Sequence, residues 1–171
     1  MNESYVKIKE CPNEELPKLL KLKEKYKNVP TIYNHIAIAY GYSKQEEQHF
    51  NALMETINRF PDYLFGKIAL AEYYLNRDEH KKVPEVLNHR FEIHMHFHPS
   101  VKLFHVSEVR SFHSIVGRYY LRANKINRAL YYFLILNDID PSHVATKQLA
   151  DEIMRHEIGE LQNKFQQRRE C

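Results

Sequence analysis

The stretch FHSIVGRYYLRANKINRALYYFLILNDIDP (residues 112–141) decides the fold. Small and large side chains follow one another in it at set offsets: Val116-Gly117, then Tyr120, Ala129, Phe133, Leu136 and Pro141. Such offsets suit two antiparallel helices, with apolar residues three and four apart on one face of each. Gly117 and Ala129 would let the helices approach closely, and Tyr120 and Phe133 would fill the space around that contact. Pro141, which cannot continue a helix interior, would end the unit.

The arrangement recurs upstream. Leu70-Ala71 with Tyr74, Val83 and Leu87 gives a second unit over about residues 64–97. Ile36-Ala37 with Tyr40, Leu53 and Pro61 gives another over about 30–63, in which His49 and Thr56 stand where small residues are expected. Helix starts are signalled by Ser43-Lys44-Gln45-Glu46, read as a capping box, by Asp62, by Ser107 and by Asp140-Pro141. Phe50, Leu53, Met54, Ile57 and Phe60 then make one apolar helix face. Only Val6/Ile8 and the segment around residue 96 alternate. With 4 Gly and no Trp among 171 residues, but 12 Tyr and 9 Phe, the chain reads as all-α.

This pattern resembles the tetratricopeptide repeat. The resemblance covers residues 30–143 as three repeats, at about 30–63, 64–97 and 110–143. Their starts lie 34 and then 46 residues apart, which places an insertion near 95–107. It implies a tetratricopeptide-type α-solenoid of antiparallel helix pairs with N- and C-terminal capping helices. Pro99 biases His98 away from helical geometry, so the second helix of the middle repeat is expected to end near His94 to Phe97. Residues 1–29 supply an N-terminal segment and capping helix (Leu16, Leu19, Leu20, Tyr26), and residues 144–171 a C-terminal capping helix and tail. The amphipathic run 142–168, with Leu149, Ile153, Leu161 and Phe165, is expected to cover the last repeat, since each repeat leaves an apolar face for a neighbour.

Composition narrows the function. A formal charge of +3 and a small basic tail, Lys164 with Arg168-Arg169, do not make a nucleic-acid stripe. No apolar run reaches membrane-spanning length, and the opening MNESYVKIKE has no signal-peptide core. Cys11 and Cys171 lack metal or redox spacing. A cytoplasmic location is therefore expected. A glycine-rich phosphate loop, G-x-S-x-G and H-E-x-x-H are all absent, which points to a protein without catalytic activity or cofactor. The segment Arg155-His156-Glu157 reads as a solvated helix face.

The resemblance further implies that the first helices of the repeats bind a partner peptide or helix. Carried over residue by residue, the binding positions are Asn34 and Ile38, then Phe65, Ile68, Glu72 and Asn76, then Ser111, Ser114, Arg118 and Arg122. The positions that clamp chaperone C-termini in one subgroup are Asn34, Ile38, Ala69, Ser111 and Ile115 here, and they do not reproduce that clamp. The expected role is a protein-interaction adaptor or scaffold whose partner carries an apolar face and a carboxylate for Arg118 or Arg122.

FEIHMHFHPS (residues 91–100) offers a competing reading. If extended, His94, His96 and His98 would share one face and could ligate zinc or copper. If helical, only His94 and His98 would share a face. As a solvated connector, it would pack Met95 and Phe97 inward and turn the histidines to water. The alternatives to the adaptor are thus a metal-binding or metal-dependent protein using these histidines, and a homo-oligomeric structural protein joined through its terminal helices.

Overall fold

A computed structural model describes residues 3–169, so Cys171 lies outside the described residues. Among these residues the secondary structure is helical and contains no strand. The helices are α1 (Glu3–Glu10), α2 (Pro12–Lys25), α3 (Pro30–Tyr42), α4 (Glu46–Arg59), α5 (Leu64–Leu75), α6 (Val83–Val86), α7 (Val106–Arg122), α8 (Ile126–Ile139) and α9 (Val144–Gln167). Two units are distinguished, one ending at Tyr73 and one beginning at Tyr74, so the division falls within α5.

In the first unit α3 packs against α4, and α1 and α2 pack against α3. Ile8, Leu19, Ile36, Ala37 and Leu53 are buried there. Val6 and Ile8 belong to helix α1, so their alternation does not make a strand. The two residues that depart from the small-residue pattern are accommodated by glycines. A Cβ on Gly41 would lie 3.0 Å from the His49 ring, and one on Gly66 would lie 3.1 Å from Thr56 Cγ2. The larger side chains occupy space that these glycines leave open, and Thr56 Oγ1 donates to Ala52 O at 2.8 Å.

A single turn geometry recurs along the chain. Lys44, Asp78 and Asn124 adopt left-handed conformations, with φ of 57°, 60° and 55°. After each of them a backbone N–H returns to a tyrosine carbonyl: Gln45 to Tyr40 (3.0 Å), Glu79 to Tyr74 (2.9 Å) and Lys125 to Tyr120 (2.8 Å). These bonds satisfy carbonyls at a helix C-terminus. The turn explains why Ser43 closes α3 instead of capping α4. Its N–H donates to Ala39 O at 2.9 Å, and the left-handed Lys44 separates it from the next helix.

The other expected caps also shift. Tyr63, not Asp62, supplies the carbonyl that accepts from Gly66 N (3.1 Å) at the start of α5. His105 takes the place of Ser107: its Nδ1 accepts from Ser107 N at 3.2 Å, while Glu108 Oε2 accepts from His105 N at 2.8 Å. Asp140 is engaged by Ser142 N and Oγ, at 3.0 and 2.7 Å, leaving His143 Nδ1 to cap α9 through Ala145 N at 3.2 Å.

In the second unit α7, α8 and α9 pack pairwise against one another. Gly117 lies where the three helices meet. A Cβ there would come within 2.6 Å of Leu149 Cδ2 and 3.2 Å of Tyr132 Cβ. The aromatic residue that closes the α7–α8 contact is Tyr132, buried and stacked on Tyr120 at 5.7 Å, whereas Phe133 is half-buried. The helix expected to reach His94–Phe97 is one turn long. Pro84 lies in its first turn, and Asn88 and His89 take left-handed conformations directly after Leu87. Beyond it, a 3₁₀ turn over Ile93–His96 leads to an irregular connector that ends at α7. Phe91 stacks on Tyr119 at 5.2 Å, and its carbonyl accepts from the Tyr132 hydroxyl at 2.9 Å, which ties this irregular segment to α7 and α8.

Helix α9 covers α7 and α8 with only its first half. Leu149 and Ile153 are buried, but Leu161 and Phe165 are 53% and 65% exposed. At about 100° per residue, the eight residues from Ile153 to Leu161 rotate the side chain by roughly 80° off the buried face. The expectation that all four face inward therefore fails on helix geometry.

Candidate functional site

The most developed polar arrangement joins α7 to α9. Arg118 is 3% exposed. Its Nε donates to Glu152 Oε1 at 2.9 Å, and its Nη2 donates to Asn76 Oδ1 at 2.9 Å. Gln148 Nε2 donates to the same Glu152 oxygen at 3.3 Å. The other oxygen, Oε2, is buried without a hydrogen bond, although Arg122 Nη2 stands 3.7 Å away as an ionic neighbour. A buried carboxylate held in this way anchors one helix to the next.

Above the pair lies an open cleft of about 500 Å³, lined by Leu121, Arg122, Asn124, Glu152, Arg155 and His156. Arg122 and Arg155 are exposed at its edge, with Arg155 Nε donating to Asp151 O at 3.1 Å. His156 Nδ1 is buried without a hydrogen bond. Two guanidinium groups, those of Arg118 and Arg122, thus meet the Glu152 carboxylate, and Arg155 lines the same cleft. The edge of the cleft carries the guanidinium groups of Arg122 and Arg155 beside the apolar Leu121.

The other sequence-derived positions divide by unit. In the first, Asn34 and Ile68 are buried, Ile38 and Phe65 are half-buried, and Glu72 is exposed. Burial of Asn34 leaves its Oδ1 without a hydrogen bond, and the Phe65 ring lies 6.0 Å from Tyr63. In the second, Ser111 is half-buried, Ser114 is buried, Asn76 is exposed and accepts from Arg118, and Arg122 is exposed at the cleft. Arg118 is therefore an internal tie, and Arg122 is the arginine presented outward.

Glu152, Arg155 and His156 were not among the sequence-derived positions. A signal for Glu152 is present: it follows Arg118 by 34 residues, the same offset as one repeat. The reading of residues 155–157 as a fully solvated face fails at His156, whose side chain is 25% exposed.

The histidine segment takes none of the regular arrangements. His96 Nε2 bonds Arg90 O at 2.9 Å, and its ring meets Phe112 edge-on at 5.2 Å. His98 Nδ1 bonds Ser100 Oγ at 2.8 Å, and His94 is exposed. Met95, expected to point inward, is 45% exposed. The 3₁₀ turn is what directs His96, not Met95, onto the core. Among the described residues, no group of three or more His, Cys, Asp or Glu side chains is arranged to hold a metal ion.

Buried His113 and half-buried His35 and His143 are expected to couple stability to pH. Burial lowers the pKa of His35, His113 and His143, although a bond to Val109 O and the Glu92 charge partly oppose the shift at His113. As pH falls below about 6.5, the unfolded chain takes up protons that these folded imidazoles resist, so stability declines. Thermal melts should accordingly show a lower Tm at pH 5.5 than at pH 7.5, with a smaller difference for His113→Phe. An unchanged difference would remove His113 as a contributor.

Compared with family models, with curated proteins and with solved structures, the chain matches none. No helix among the described residues is long and apolar enough to cross a membrane.

Proposed function

We propose that this chain is a cytoplasmic, tetratricopeptide-type protein-interaction module, an adaptor or scaffold without catalytic activity. It binds a partner peptide or helix on the first helices of its repeats. The observation that carries the reading is the α7–α9 cleft, with Arg122 and Arg155 exposed beside a carboxylate already held by Arg118. Repetition of the Tyr40, Tyr74 and Tyr120 turn bonds at the sequence intervals supports the repeat assignment. The partner is a protein segment with an apolar residue against Leu121 and a carboxylate between the two arginines. Nucleic acid, membrane and cofactor have no part in this role.

The test is capture from lysate with the wild-type chain and with Arg122→Gln/Arg155→Gln. These exposed substitutions remove the cleft charge and should change stability by less than about 0.5 kcal/mol. A protein retained by the wild type and lost from the variant at equal folded concentration is the expected result. Identical retention by both would overturn the assignment of the cleft.

A further inference from the structure

From Met154 onward, α9 presents a second apolar face. Met154, Ile158, Leu161 and Phe165 are 61%, 47%, 53% and 65% exposed. Their spacing of four, three and four is that of a coiled-coil seam. On a helical wheel they fall within about 60° of one another and roughly 130° from the face carrying Leu149 and Ile153. The face is thus separate both from the buried side of α9 and from the cleft residues Glu152 and His156. Side chains exposed to this degree present on the order of 400 Å², within the roughly 300–600 Å² of the largest apolar patch on a typical monomer, which is often functional.

We infer that this face pairs with the same face of a second copy, the two α9 helices running antiparallel. Charge decides the occupant and its direction. In an antiparallel pair, Met154 meets Phe165 of the other copy and Ile158 meets Leu161. That register brings Glu157 alongside Lys164 and Asp151 opposite Arg168, each pairing occurring twice by symmetry. A parallel pair would instead set Asp151 against Asp151, Arg168 against Arg168 and Lys164 beside Arg169. Asp151, Lys164 and Arg168 oppose the parallel register, in which Glu157 meets only the neutral Gln162. The patch is smaller than the roughly 800 Å² per partner of a stable interface, so the dimer forms weakly and with concentration.

Sedimentation velocity over a concentration series tests this with the full chain. Wild type should shift from monomer toward dimer, and Ile158→Asp/Leu161→Asp should remain monomeric with an unchanged circular dichroism spectrum. Glu157→Lys alone and Lys164→Glu alone should each weaken association by about tenfold. The two substitutions combined in one chain should restore it, which identifies the antiparallel pairing. A wild-type chain that stays monomeric at the highest concentration reached overturns the proposal. Association that survives the aspartate variant, or that the combined charge exchange fails to restore, also overturns it. None of these outcomes depends on Arg122 or on capture of a partner.

Discussion

Arg118→Ala is expected to destabilise the protein by about 3–5 kcal/mol, the range for removing one member of a buried ion pair. The substitution leaves the Glu152 carboxylate, with a side chain 10% exposed, without its 2.9 Å partner, and it also deprives Asn76 Oδ1 of a donor. The loss is mainly the cost of a buried charge left with only Gln148 and the more distant Arg122, which makes a second variant informative. Arg118→Met combined with Glu152→Met removes both charges and retains apolar volume, and should recover most of the stability lost by Arg118→Ala. Urea denaturation followed by far-ultraviolet circular dichroism measures both. A loss under about 1 kcal/mol for Arg118→Ala would show that the pair is solvated and contributes as a surface bridge does.

Gly117→Val is expected to cost about 3 kcal/mol, at the upper end for overpacking a filled core. Even a Cβ at this position would lie 2.6 Å from Leu149 Cδ2, and Leu149 is fully buried, so it cannot swing into solvent. The second obstacle, Tyr132 Cβ at 3.2 Å, sits next to the α8 backbone and moves only if the helix moves. Replacing glycine by valine improves helix propensity by only about 0.4 kcal/mol, which offsets little of the cost. Combining Gly117→Val with Leu149→Ala should cost less than the sum of the separate changes, because the smaller residue vacates the space that valine enters. Denaturation midpoints for the three variants give the coupling directly. Strict additivity would place the clash elsewhere.

The sequence discloses the helices most clearly where one apolar face persists. Val116-Gly117 and Ala129 mark the α7–α8 contact because only small residues permit that approach. It does not distinguish Tyr132 from Phe133, since adjacent aromatic residues at a helix edge satisfy the same spacing until the third helix fixes the rotation. Caps were less legible. Ser107 and Asp140 are good capping residues, but neighbouring His105 and His143 occupy the capping geometry at Nδ1. Burial lowers the pKa of His143, which favours the neutral ring that can accept such a bond. The short α6 shows how local breakers act together: Pro84 constrains its start, while left-handed Asn88 and His89 stop what periodicity would continue.

The binding positions separate along the same lines. Repeat register identifies Arg118 and Arg122 as residues on a first helix, but it cannot say which one is drawn inward. That depends on Glu152, which enters the cleft because α9 packs beside α7. The charged surface of α9 is readable as an amphipathic pattern. Its two different apolar faces become distinct only when the eight-residue step from Ile153 to Leu161 is followed around the helix.

Display of a proteome-derived peptide library on the purified chain tests the interaction assignment most directly. The account predicts enrichment of peptides that pair an apolar residue with a nearby Asp or Glu, and loss of that enrichment with Arg122→Gln/Arg155→Gln. Enrichment without an acidic preference, or unchanged by the cleft substitutions, would contradict it.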